Sequence, residues 1–197
     1  LVTKPLGGHD ITLTINARLQ NIVEEELEKQ VIDTGSESGT VVAINPETGE
    51  ILAMANYPDF NPNRRTRADY PYLANRAVQH VYEPGSTFKL VTAAAAFEAN
   101  VVSPEDEFDC EGGSITIGRR VIRDHKPFYT ISFRKVIENS SNVGTIKVAQ
   151  LLGERPLWQM ANKFGYGSRT GIDLPAESRG ILRKVDSWSA NSYGSIA

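Results

Sequence analysis

Residues 82–90 read YEPGSTFKL, a serine and a lysine three positions apart directly behind a Pro-Gly pair. The stretch opens an alanine-rich, mostly apolar run, so a buried helix is predicted over about 86–99. Ser86 then has two readings. As a helix cap, its hydroxyl would accept from an orphan N–H of the first turn. As a nucleophile, it needs a base, because a serine hydroxyl is weak until its proton is taken. Residues three apart on a helix share a face, with Cβ atoms roughly 5–6 Å apart, so Lys89 is within reach. A lysine in a buried cleft loses proton affinity, and the positive end of a helix favours negative charge developing at Ser86.

The spacing alone is weak. With 14 serines and 8 lysines in the chain, about half a match is expected by chance. A second match does occur, Ser132-Phe133-Arg134-Lys135. There Ser132 is read as a helix cap and Lys135 as a residue of the exposed face. Ser86 is set apart by ENSSNVG at 138–144, which supplies Ser140-Ser141-Asn142 between two helical patterns. S-x-x-K followed by S-x-N is two-thirds of the signature of penicillin-recognising serine enzymes, whose third element is K-T-G. A plainer account of the triplet is a helix–loop–helix junction with Asn142 as N-cap.

Outward from these motifs, DITLTI (10–15) alternates as a half-buried strand does. A helix is predicted from Asn16, with Leu19, Ile22, Val23, Leu27 and Val31 inward and Gly35 ending it. TVVAINPETGEILAMA reads as a β-hairpin, residues 57–72 as an exposed excursion, and SITIGRRVI (114–122) as a small hairpin turning near Gly118. Helices are predicted after Ser132, from Asn142 or Val143, and over 155–164. Strands first and helices in the middle predict an α+β fold with segregated layers.

The 197 residues are enough for a proper core, and 40% apolar with 23% charged residues is ordinary for a globular chain. The net charge of −3, with both signs interleaved, gives no footprint for nucleic acid. Arg64, Arg65 and Arg67 form the one basic cluster, in a polar loop. A single cysteine, Cys110, excludes an internal disulfide, and His9, His80 and His125 have no metal-ligand spacing. No cofactor is expected. Asp33-Thr34-Gly35 has the lettering of an aspartic-protease loop, but no second copy follows and Asp33 falls at the end of a helix.

YEPGSTFK followed by SSNVG resembles the transpeptidase domain of class B penicillin-binding proteins, most like the division (septal) or sporulation types. DITLTINARLQNIVEEEL, VVAINPETGEILAMANYPDFNPN, FDCEGG and FGYGSRTGIDLPAE resemble further family segments in the same order. The resemblance implies the penicillin-binding and serine β-lactamase-like fold, an antiparallel sheet flanked by helices with a helical subdomain. It implies a D-Ala-D-Ala transpeptidase acting on peptidoglycan stem peptides and acylated by β-lactams. Ser86 would be the nucleophile and one oxyanion donor through its backbone N–H, and Lys89 its base. Ser140 would relay a proton to the leaving amine, and Asn142 would bind the substrate backbone and help fix Lys89. Cell-division or elongation proteins would be partners, and the location would be the extracytoplasmic face of the bacterial inner membrane, with the anchor outside this chain.

K-T-G is not found in these residues. Arg169-Thr170-Gly171 imitates it but runs into IDLP without strand alternation. Residues 1–197 are therefore expected to be a partial transpeptidase domain, without the later strands, anchor or accessory domain, and inactive alone. Two alternatives remain: a β-lactamase or β-lactam sensor, and a non-catalytic cell-division scaffold. The first needs a carboxylate for a deacylating water, and nothing around Glu154, the only glutamate shortly after the S-x-N helix, suggests that role.

Overall fold

The computed structural model describes residues 7–189 and 192. The chain divides into two compact units between His80 and Val81.

In the first unit, helix α1 spans Ala17–Thr34 and packs on a hairpin of β1 (Gly39–Ile44) and β2 (Ile51–Tyr57). Asn16 starts α1 by accepting from the Leu19 N–H at 3.0 Å, and Gly35 ends it in the left-handed conformation. Leu27 and Val31 are buried against Ala55. Ile22, predicted inward, is instead 47% exposed. The strands pair antiparallel with Val42 opposite Met54. Gln20 serves the free edge of β2, donating to Met54 O at 2.9 Å and accepting from Met54 N–H at 2.8 Å. The amide thus substitutes for a neighbouring strand.

Residues 10–15 do not form the predicted strand. Ile11 and Leu13 are 83% and 69% exposed, and contact with β2 comes late, where Thr14 Oγ1 donates to Ile51 O at 2.6 Å and Asn16 N–H donates to Leu52 O. Alternation marks which faces could be buried, and a strand forms only where a partner edge takes up the backbone groups. The excursion after β2 is mostly exposed, as predicted, with 3-10 turns at Pro62–Arg64 and Arg67–Tyr72 and a short helix, α2 (Arg76–Gln79).

The second unit begins with a 3-10 turn, Gly85–Phe88, leading into α3 (Lys89–Glu98). Then come β3 (Glu107–Asp109), β4 (Ser114–Ile117), β5 (Arg120–Arg123) and β6 (Thr130–Ser132). Helices α4 (Phe133–Glu138), α5 (Asn142–Leu152) and α6 (Glu154–Lys163) follow. β4 and β5 form the predicted hairpin, turning at Gly118, while β3 pairs with β6. Mixed helices and antiparallel pairs bear out the α+β expectation.

α3 is apolar nearly all round because it sits between two cores. Ala93 and Ala96 face a cluster with Phe133, Val136, Val143 and Ile146. Phe88, Val91 and Ala95 face another with Leu152, Leu157 and Met160. Each large side chain so buried contributes about 1.5–3 kcal/mol. Gly144 sets the spacing of α4 and α5: a β-carbon there would lie 2.5 Å from a Val136 methyl.

Candidate active site

Ser86 lies in the 3-10 turn, exposed, one turn ahead of the buried Lys89. It does not cap the helix, contrary to the plain reading. The segment starts at Pro84, Gly85 takes φ +59°, and Thr87 Oγ1 donates to Pro84 O at 2.7 Å. Nothing crowds Gly85, so only its backbone conformation asks for glycine. The Ser86 N–H belongs to the first turn, where helical geometry offers it no acceptor.

Lys89 is 3% exposed. Its Nζ donates to Ser140 O at 2.7 Å, to Ser140 Oγ at 3.0 Å and to Asn142 Oδ1 at 2.6 Å. Three of the four sequence-predicted residues are thus in direct contact, across 51 and 53 positions of chain. Ser86, three positions before Lys89, is exposed. Burial lowers the Lys89 pKa, and the Asp124 carboxylate acts in the opposite direction. Burial outweighs the acceptors and the nearby charge, moving the amine toward its neutral form.

Ser140 occupies φ +52°, a region few non-glycine residues adopt. That conformation turns its carbonyl and its hydroxyl toward the same ammonium. Asn142 is held the other way round by Nδ2 donating to Arg123 O at 2.7 Å, which leaves Oδ1 for Lys89. The N-cap of α5 is Ser141, not Asn142: Ser141 Oγ accepts from Gly144 N–H at 3.0 Å.

Sequence reasoning missed Asp124. One carboxylate oxygen accepts from the N–H groups of Asn142 and Val143, and the other accepts from Ser141 Oγ at 2.8 Å. No motif marks it, since it follows a short hairpin strand and its partners lie 17–19 residues on.

The decoys separate cleanly. Ser132 accepts from Lys135 N–H at 3.4 Å, and Lys135 pairs with Glu138 on the exposed face of α4. Thr170 and Gly171 lie in a loop, with both N–H groups bonded to the Glu177 carboxylate. Asp33 is in the last turn of α1. Glu154 opens α6 after the whole of α5. An 11-residue helix is about 16 Å long, so Glu154 stands at the far end from Asn142. A cavity of about 470 Å³ lined by Glu83, Pro84, Phe88, Tyr166, Leu182 and Trp188 flanks the Gly85–Phe88 turn without including Ser86 or Lys89.

The family model described as "Penicillin binding protein transpeptidase domain" matches residues 39–197. The chain is 34% identical over 193 residues to the probable peptidoglycan D,D-transpeptidase PbpC of Pseudomonas aeruginosa, covering 98% of this chain and 34% of that protein. It is 37% identical to stage V sporulation protein D of Bacillus subtilis, covering 91% of this chain and 28% of the relative. Among solved structures, penicillin-binding protein 3 of Mycobacterium tuberculosis, complexed with aztreonam, superposes with a TM-score of 0.81. The identity there is 33%, over 92% of this chain and 41% of the other. The chain spans about a third of the length of the curated relatives it matches.

Proposed function

The chain belongs to the penicillin-binding protein transpeptidase family, and from that premise we propose that Ser86 is the nucleophile of a peptidoglycan D,D-transpeptidase and Lys89 its base. The observation that carries this reading is the buried Lys89 amine, held on Ser140 and Asn142 one turn behind an exposed serine. Ser140 O and Asn142 Oδ1 can only accept, so they orient two of the amine's N–H bonds. The remaining direction points to Ser140 Oγ, and through it protons enter and leave.

In acylation, Ser86 Oγ attacks the carbonyl carbon of the penultimate D-alanine of a stem peptide, and its proton passes to neutral Lys89. The oxyanion is met by the Ser86 N–H, a preorganised donor of the kind that contributes most to acyl transfer. As the C–N bond breaks, the proton moves by way of Ser140 to the departing D-alanine amine. An amine of a second stem peptide then attacks the ester carbon and returns a proton to Ser86. Asn142 pairs with the substrate backbone. A β-lactam enters by the same attack, its ring C–N bond opening to leave Ser86 acylated.

The reading extends to the whole protein. These residues are taken as part of a larger catalytic domain, with a K-T-G element supplied outside them and the native protein working at the extracytoplasmic face of the bacterial inner membrane with division or elongation partners. The relatives' greater length supports the larger domain, and the name of one of them, probable peptidoglycan D,D-transpeptidase, supports the activity. No helix among the described residues is long and apolar enough to cross a membrane.

The test is to treat the protein at native length with a fluorescent penicillin and map the adduct. Label is expected on Ser86 and lost in S86A. Label elsewhere, or surviving S86A, overturns the assignment. Rapid steady-state hydrolysis of a chromogenic cephalosporin would favour a β-lactamase instead.

A further inference from the structure

Four backbone N–H groups open α5, and each has a partner. Thr145 N–H reaches Ser141 O, Gly144 N–H reaches Ser141 Oγ, and those of Asn142 and Val143 reach a single carboxylate oxygen of Asp124. The other Asp124 oxygen takes the hydroxyl proton of Ser141, whose own lone pair is given to Gly144. One residue earlier, Arg123 O fixes the amide of Asn142 so that Oδ1 faces Lys89. The end of β5 therefore grips the S-x-N triplet by its backbone, its middle hydroxyl and its asparagine amide. It is itself anchored, since Asp124 N–H donates to Gly113 O at 2.9 Å.

We propose that Asp124 is a positioning residue of the acyl-transfer site, acting through Ser141 and the N-terminus of α5 to set where Ser140 and Asn142 meet Lys89. The inference rests on the catalytic reading above. The carboxylate has a further effect that a neutral cap would lack. It is a negative charge close enough to favour the Lys89 ammonium, against the burial that disfavours it. Two other titratable groups lie near this turn. Cys110, behind Ser141, is held neutral by burial that raises its thiol pKa, and Lys147 on α5 is paired with Glu111.

Removing the carboxylate and removing only its charge should then separate. In D124A the N–H groups of Asn142 and Val143 lose their acceptor, Ser141 loses its anchor, and the triplet shifts. Displacements of that order cost about 10²-fold in rate, so acylation of Ser86 by a fluorescent penicillin should fall by about 10- to 100-fold. In D124N the amide oxygen can still accept from both N–H groups, and its NH₂ can donate to Ser141 Oγ. Acylation should fall less, and the acidic limb of its pH profile should move to lower pH because Lys89 has lost the charge favouring its protonated form.

Measurements are made on the native-length protein, with thermal unfolding and near-UV circular dichroism alongside. A wild-type protein not labelled at Ser86 defeats the catalytic reading. Given wild-type labelling, D124A reacting at the wild-type rate overturns this inference, as does an unshifted acidic limb in D124N. If D124A does not fold, D124N decides alone.

Discussion

Two tetrads in this chain have the same spacing, Ser86 to Lys89 and Ser132 to Lys135, and they come to opposite ends. Ser132 caps α4, and Lys135 reaches into solvent to pair with Glu138. Ser86 caps nothing, while Lys89 is sealed beneath α5 with Ser140 and Asn142 as partners. Spacing places two side chains on one face of a helix, and the two tetrads share that. What faces the helix decides the rest: solvent opposite Lys135 leaves it a surface partner of Glu138, while the S-x-N turn opposite Lys89 makes a desolvated, oriented amine.

Exchanging the lysines gives the sharpest test of that contrast. K89A should reduce penicillin acylation by about 10³-fold or more, within the range general bases contribute, whereas K135A should leave it within about twofold. Stopped-flow labelling measures both, and equal effects would break the comparison. For the wild type, acylation should rise with pH as Lys89 deprotonates, reaching its plateau below the ordinary lysine range because burial lowers that pKa. In the proposed mechanism the neutral amine is the reactive form, so the rate should fall on the acidic side. A limb at the unperturbed lysine value would remove the role given to burial.

Next in size, S140A should slow acylation by about 10²-fold. S140G loses the same hydroxyl but accepts φ +52° without strain, so it should be slow yet more stable than S140A by about 1 kcal/mol. Chemical denaturation with labelling separates the two effects. G144A should destabilise by about 1–3 kcal/mol, because its methyl group meets Val136 and spreads α4 from α5. An unchanged midpoint would show that the helices give way. The smallest effect belongs to the other tetrad: S132A should lose about 1 kcal/mol as a cap and label at the wild-type rate.

Much of the fold was legible because its signals are short-range. The β1–β2 and β4–β5 hairpins, the α1 caps at Asn16 and Gly35, and the helices α4 to α6 all rest on patterns within a few residues. The misses have one character. DITLTI alternates correctly but meets β2 only near Thr14, Gln20 having taken the edge at Met54, and Ile22 sits on the predicted stripe but is exposed. The pairing of Phe108 with Ile131 joins two three-residue strands with no local mark. At the site, Ser141 displaced Asn142 as cap because Asn142's amide is engaged by Arg123 and Lys89.

The family resemblance, the order of the motifs and the four side chains on which the chemistry is proposed to rest can be read from the chain, because those are matters of residue type and spacing. Folding supplied the rest: Lys89 buried on Ser140 and Asn142, Ser140 at positive φ, and Asp124 holding the opening turn of α5. Those depend on contacts between residues 17 to 53 positions apart. No local periodicity encodes such distances; they arise when α3, α5 and the end of β5 close on one another and each buried donor must find an acceptor.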